Sequence, residues 1–168
     1  MTVTAVRKDP SSRTMTLEAE FDASPERVWQ LWADPRQLGR WWGPPTYPAT
    51  VDVHDLRPGG HVEYHMTGPE GDRPRGFWEV DEVQPPHRLV FRDGFANEDG
   101  TPNTELPMTT VRVTIQQIDG GRTRMSIENE FPSVEAMEQL AAMGTEEGLT
   151  QAVAQIDAIL AEERDHAR

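Results

Sequence analysis

The chain has 168 residues, 27% of them charged and 36% hydrophobic, with a formal net charge of −13 and no cysteine. A surface this acidic argues against binding nucleic acid or an anionic membrane, since both need basic residues to neutralise phosphate. The missing cysteines exclude disulfides, thiolate catalysis and Cys-ligated metals. No apolar run approaches the roughly 20 residues of a membrane span, and no signal-peptide pattern opens the chain, so a cytoplasmic location is expected.

Residues 1–13 read as an N-terminal arm or short strand, with a turn at "DPSS" (9–12). One domain is expected over 14–165. In "TMTLEAEF", Met15, Leu17, Ala19 and Phe21 alternate with polar residues, the mark of a strand with one buried face. Two short helices follow in "DASPERVWQLWADPRQLGRWWGPP". Ser24 suits the first N-cap, Pro25 the first helical position and Glu26 the positive helix start. Pro35 restricts Asp34, which ends the first helix and caps the second. Trp41 and Trp42 lie at i+3 and i+4 from Leu38, so both indoles flank one leucine before Gly43 and two prolines end the helix. One indole is expected to seal the helix pair against the sheet, and the other to stand at an opening.

Strand and turn patterns then run from 49 to 131. "RPGG" joins "ATVDVHDL" to "HVEYHM", with Pro58 and Gly59 at the centre of a type II turn. "GFWEVDEV", "RLVFRD", "TTVRVTIQQI" and "TRMSIENEF" complete the set. The acidic, Gly- and Pro-containing stretch 93–108 is long enough to be a lid or a disordered loop. Ser133 can cap a closing helix over 133–165. Its stripes (Val134, Met137, Ala141, then Leu149, Ala152, Val153, Ile156, Ile159, Leu160) fail to align, and the shift falls near "MGTEEG" (143–148).

The order strand, two short helices, about six strands and a long helix is α+β, and the residues match a known pattern. "FDASPERVWQLWADPRQLGRWWGP", "DLRPGGHVEYHMTGPEG", "QPPHRLVF", "TTVRVTIQQIDGGRTRMSIENEF" and "EEGLTQAVAQIDAIL" resemble the SRPBCC (START-like) superfamily. Within it the likeness is to small bacterial proteins similar to the C-terminal domain of the activator of the heat-shock protein 90 ATPase. The resemblance covers about residues 14–161. One departure is Leu149, where the family often carries an aromatic. The resemblance implies a helix-grip fold: a curved antiparallel sheet wrapped around a long C-terminal helix, often with a cavity between. Members include lipid carriers, polyketide cyclases, antibiotic-sequestering proteins and chaperone partners, so the fold does not name the function.

The chemical motifs are sparse. No GxSxG, HExxH, Walker A or GxGxxG pattern occurs. His61, Glu63 and His65 share one strand face, with Asp52 and His54 across the hairpin, and such a set could hold zinc or nickel. Because Val62, Tyr64 and Met66 take the buried face, the polar set is expected to face solvent, with no metal and no cofactor. Asn129 has the inward parity of Met125, Ile127 and Phe131, so it needs a partner inside: a ligand, a water or a loop backbone. Three functions stand open. The first is a non-catalytic module holding a small hydrophobic molecule between the sheet and the last helix. Its cavity is expected to be bounded by Trp42, Tyr64, Trp78, Met108, Asn129, Met143 and Glu147, with Glu146 an equal candidate to Glu147. The second is a chaperone partner docking through its surface. The third is a cyclase- or hydrolase-type enzyme using a carboxylate at the helix break with Asn129. Either a monomer or a homodimer is compatible with the sequence.

Overall fold

A computed structural model describes residues 3–166, with side chains as far as Glu162. Strand β2 (Thr14–Phe21) shows the alternation at once. Met15, Leu17, Ala19 and Phe21 are at most 4% exposed, whereas the residues between them are partly open. On one side β2 pairs with β1 (Val3–Asp9), so most of the N-terminal segment is an edge strand. On the other it pairs with β8 (Thr123–Glu130). The remaining strands are β3 (Ala49–His54), β4 (His61–Met66), β5 (Arg75–Gln84), β6 (Arg88–Ala96) and β7 (Thr109–Gln117). All pairings are antiparallel, in the order β1-β2-β8-β7-β6-β5-β4-β3. Bulges between Val51 and Val53 and between Val80 and Glu82 add the local bend that curves the sheet.

Helices α1 (Pro25–Ala33) and α2 (Pro35–Trp41) follow from their caps. Ser24 Oγ accepts from the Arg27 N–H at 3.2 Å. The Asp34 N–H closes α1 on Gln30 O at 3.0 Å, while its Oδ1 opens α2 by accepting from the Arg36 N–H, also at 3.0 Å. Gly43 has no room for a side chain: a Cβ there would lie 2.0 Å from Tyr47 O. At the hairpin between β3 and β4, the Gly60 N–H bonds Arg57 O at 2.8 Å and Gly59 has φ +83°, as a type II turn requires.

The closing helix is three segments where one bent helix was expected: α3 (Val134–Ala142), α4 (Thr145–Ala154) and α5 (Ile156–His166). Gly144, at φ +84°, breaks the first junction; an L-residue rarely adopts that conformation, which explains the mismatch of the stripes. The first stripe also differs. Ala136, Met137 and Leu140 are buried on α3, while Val134 is 40% exposed and Ala141 is exposed. The core is correspondingly double. A large cluster joins α1, α2, the sheet and Ala152, Val153, Ile156, Ile159 and Leu160; a small one joins Met15, Phe131, Ala136, Met137 and Leu140. No helix among the described residues is long and apolar enough to cross a membrane.

Candidate functional site

A cavity of about 200 Å³ lies at the seam of the two clusters. Its wall from the small cluster is Met15, Phe131 and Leu140, and its wall from the large one is Trp42, Tyr64, Val111 and Ile127. Thr145, Gly148 and Leu149 cover it from the first turn of α4, just after the break at Gly144. The helix break is thus what leaves the space: two helix segments pack on two clusters and neither fills the junction.

The two adjacent indoles divide the work. Trp41 is fully buried and donates its Nε1–H to Leu31 O at 2.9 Å. Trp42 is half-buried and lines the cavity, standing edge-on to Trp78 (4.9 Å, 77°) and Tyr64 (6.0 Å, 84°). The turn after them is tied to the last helices, since Gln155 Nε2 donates to Gly43 O at 2.7 Å and to Trp41 O at 3.3 Å.

The polar end of the cavity is built by strand register. Tyr64 on β4 faces Gly76 on β5, and a Cβ at Gly76 would come within 2.3 Å of Tyr64 Oη. The absent side chain lets the phenol lie across β5 and donate to Asp93 Oδ1 on β6 at 3.0 Å. Asp93 keeps partial accessibility, but the protein around it displaces enough water to push its pKa from 3.8 up to about 7, with the Tyr64 hydrogen bond pulling weakly the other way. The Tyr64 phenol is raised well above 10, first by desolvation and then by the Asp93 charge, so it stays protonated. Asn129 is 9% exposed and donates from Nδ2 to Met15 O at 3.2 Å, a strand-backbone partner. No Lys, Arg or His is among the lining residues.

Of the seven residues expected around a cavity, the structure brings Trp42, Tyr64 and Asn129 together and places the other four elsewhere. Trp78 is fully buried behind Trp42, stacked on Phe91 at 3.9 Å, because its register partner is Val62 and not Tyr64. Met108 lies on the opposite face of the sheet: its Cε is 3.3 Å from the Cβ position of Gly94, which pairs with Phe77. The inward residue is its neighbour Thr109. Met143 caps α3 and is 51% exposed. Glu147 is exposed and accepts from Gln151 Nε2 at 3.2 Å, while Glu146 pairs with Lys8 Nζ at 2.6 Å. The cavity's carboxylate comes from β6 instead. Asp93 was legible by the parity that singled out Asn129, since it continues Leu89 and Phe91, but β6 runs on to Ala96 where a loop was expected from 93.

The imidazole set is dispersed. His61 Nε2 lies 3.2 Å from Glu63, His65 Nδ1 is 2.7 Å from Asp52 Oδ2, and His54 Nε2 is 3.0 Å from Trp32 O. The His65 side chain is only 15% exposed, more covered than its parity suggested. Among the described residues no group of three or more His, Asp or Glu is placed to hold a metal ion.

Comparison with known proteins agrees with this architecture. A crystal structure of a protein from Mycobacterium smegmatis is 50% identical, covering 94% of this chain and 96% of that one, with a TM-score of 0.87. A solution structure of a protein from Arthrobacter aurescens is 48% identical over 96% of this chain and 93% of that one, with a TM-score of 0.92. A putative protein of the dynemicin biosynthetic locus, DynU16, shares the fold alone at 20% identity and a TM-score of 0.59, over 86% of this chain and 47% of that one. No curated protein matches the chain. The family model described as Activator of Hsp90 ATPase homolog 1-like protein matches residues 22–161, and the chain belongs to that family.

Proposed function

We propose that the protein is a cytoplasmic, non-catalytic binding module that holds one small, largely hydrophobic molecule in the cavity under α4. The observation that carries this reading is the lining: apolar and aromatic side chains on most sides, with Tyr64, Asp93 and Asn129 as a few polar anchors. Ligand sites commonly have that composition. The size suits a single ring with a short substituent, since an apolar cavity of about 150 Å³ accommodates benzene. Surface docking of a chaperone has less to support it. The exposed large hydrophobic side chains among the described residues are Val53, Val134 and Met143, one on β3 and two at the ends of α3.

The test is a titration of single-ring aromatic compounds monitored by tryptophan fluorescence. Trp42 lines the cavity, so saturable quenching or a spectral shift is expected, blunted in Trp42→Phe. A flat response to every compound would refute the proposal.

A further inference from the structure

We infer that the occupant of this cavity is a small hydrophobic amine, bound as its cation with the ammonium group on Asp93. The inference rests on the binding-module reading and adds the chemical class of the ligand.

The geometry supplies three reasons. First, Asp93 is a carboxylate without a counter-ion: among the described residues its only hydrogen-bond partner is Tyr64 Oη, on Oδ1, and the other oxygen has no protein donor. A carboxylate moved out of water without a cation is costly, and a cationic ligand is what removes the cost. Second, no lining residue carries positive charge, so an anion would meet neutral donors and the Asp93 carboxylate but no counter-ion. Third, the rings of Trp42, Tyr64, Phe95 and Phe131 line the same space, and aromatic faces attract a desolvated ammonium. The net charge of −13 acts in the same sense, drawing cations toward the protein.

The groups facing Asp93 make the linkage simple. Around it stand Tyr64 on β4, Trp78 on β5, Phe91 and Phe95 on β6, and Thr109 on β7, with Thr145 and Leu149 above the cavity on α4. Only Tyr64 among them titrates, and it does so far above neutrality. Ammonium binding therefore needs Asp93 ionised and takes up no other proton.

The experiment compares three near-isosteric probes on the full chain: 2-phenylethylamine, 2-phenylethanol and phenylacetate, by fluorescence or calorimetry. At pH 8 the amine is expected to bind at least about tenfold more tightly than the alcohol, as a hydrogen bond to a charged group contributes, with phenylacetate weakest. Between pH 8 and pH 5.5 the amine is expected to weaken about 30-fold, following protonation of Asp93 near 7, while the alcohol stays level. In Asp93→Asn the amine and the alcohol are expected to bind within about threefold of each other. The wild-type pH profile carries the test if that variant fails to fold. Alcohol or phenylacetate binding as tightly as the amine, or amine binding that ignores pH, overturns the amine assignment and leaves the cavity reading intact. No binding of any probe at either pH overturns both.

Discussion

Tyr64 and Asp93 meet across an intervening strand: the phenol on β4 passes over Gly76 of β5 and donates to the carboxyl on β6 at 3.0 Å. Neither residue pairs directly with the other in the sheet. Their contact depends on a position between them having no side chain.

That dependence can be tested at Gly76. In Gly76→Ala the new Cβ would lie 2.3 Å from Tyr64 Oη and 2.4 Å from Cζ, so the rigid ring must leave its place. Overpacking of this kind costs about 1–3 kcal/mol. The variant is expected to unfold at lower denaturant concentration and to lose the Tyr64 dependence of the Asp93 titration, followed by carboxyl-carbon NMR. An unchanged titration would show that the two residues are not coupled through this geometry.

Asp93 should make stability depend on pH in an uncommon direction for an acid. Its folded pKa of about 7 exceeds the unfolded value near 3.8, so between those values the folded state binds the extra proton. The contribution of this group is fully present below about pH 4, falls as pH rises through about 7, and is level above. Its size is on the order of a few kcal/mol. Asp93→Asn keeps an acceptor for Tyr64 without the charge. Urea unfolding is expected to find it more stable than the wild type at pH 8, less so at pH 5, and similar only below about pH 4; equal destabilisation at all three would contradict the assignment.

The tryptophans should separate in their energetics. Trp32 is fully buried and packs against Trp41 at 4.7 Å and Trp42, Trp78 and Phe91 at 5.9–6.1 Å. Trp32→Ala should cost about 3–5 kcal/mol, the usual range for a large buried aromatic. Trp42 already borders a cavity, so Trp42→Ala is expected to cost distinctly less. Denaturant titrations giving equal losses would remove the division between a core indole and a cavity indole.

Gly148 offers a gain. It sits within α4 in ordinary helical conformation, lines the cavity, and a Cβ there meets nothing within 4 Å. Gly148→Ala is expected to stabilise the protein by about 0.5–1 kcal/mol, through the lower backbone entropy of the unfolded chain. At Gly144 the same change should destabilise, because φ is +84°. Thermal melts of the two variants shifting in the same direction would contradict this reading of the helix break.

Local rules in the sequence determined the elements. The alternation of Met15 to Phe21 set a strand, Ser24 and Asp34 set two helix starts, and Gly144 marked where the last helix breaks, because caps, parity and backbone freedom act within a few residues. The inward parity of Asn129 was legible for the same reason, and Asp93 obeyed the same rule, though the strand end was expected three residues early. Tertiary structure alone decided which inward residues meet. Trp78 and Tyr64 share a face, yet register sets Trp78 against Val62 and opens space at Gly76, so one is core and the other reaches Asp93. Met108 and Glu147 are neighbours, along the chain, of a loop and of a helix break, and chain proximity says nothing of the direction a side chain takes. The turn onto β7 directs Met108 to the outer face, and the path of α4 leaves Glu147 exposed. Pairing register and the seam between two core clusters arise from contacts between residues far apart along the chain, and no local pattern encodes them.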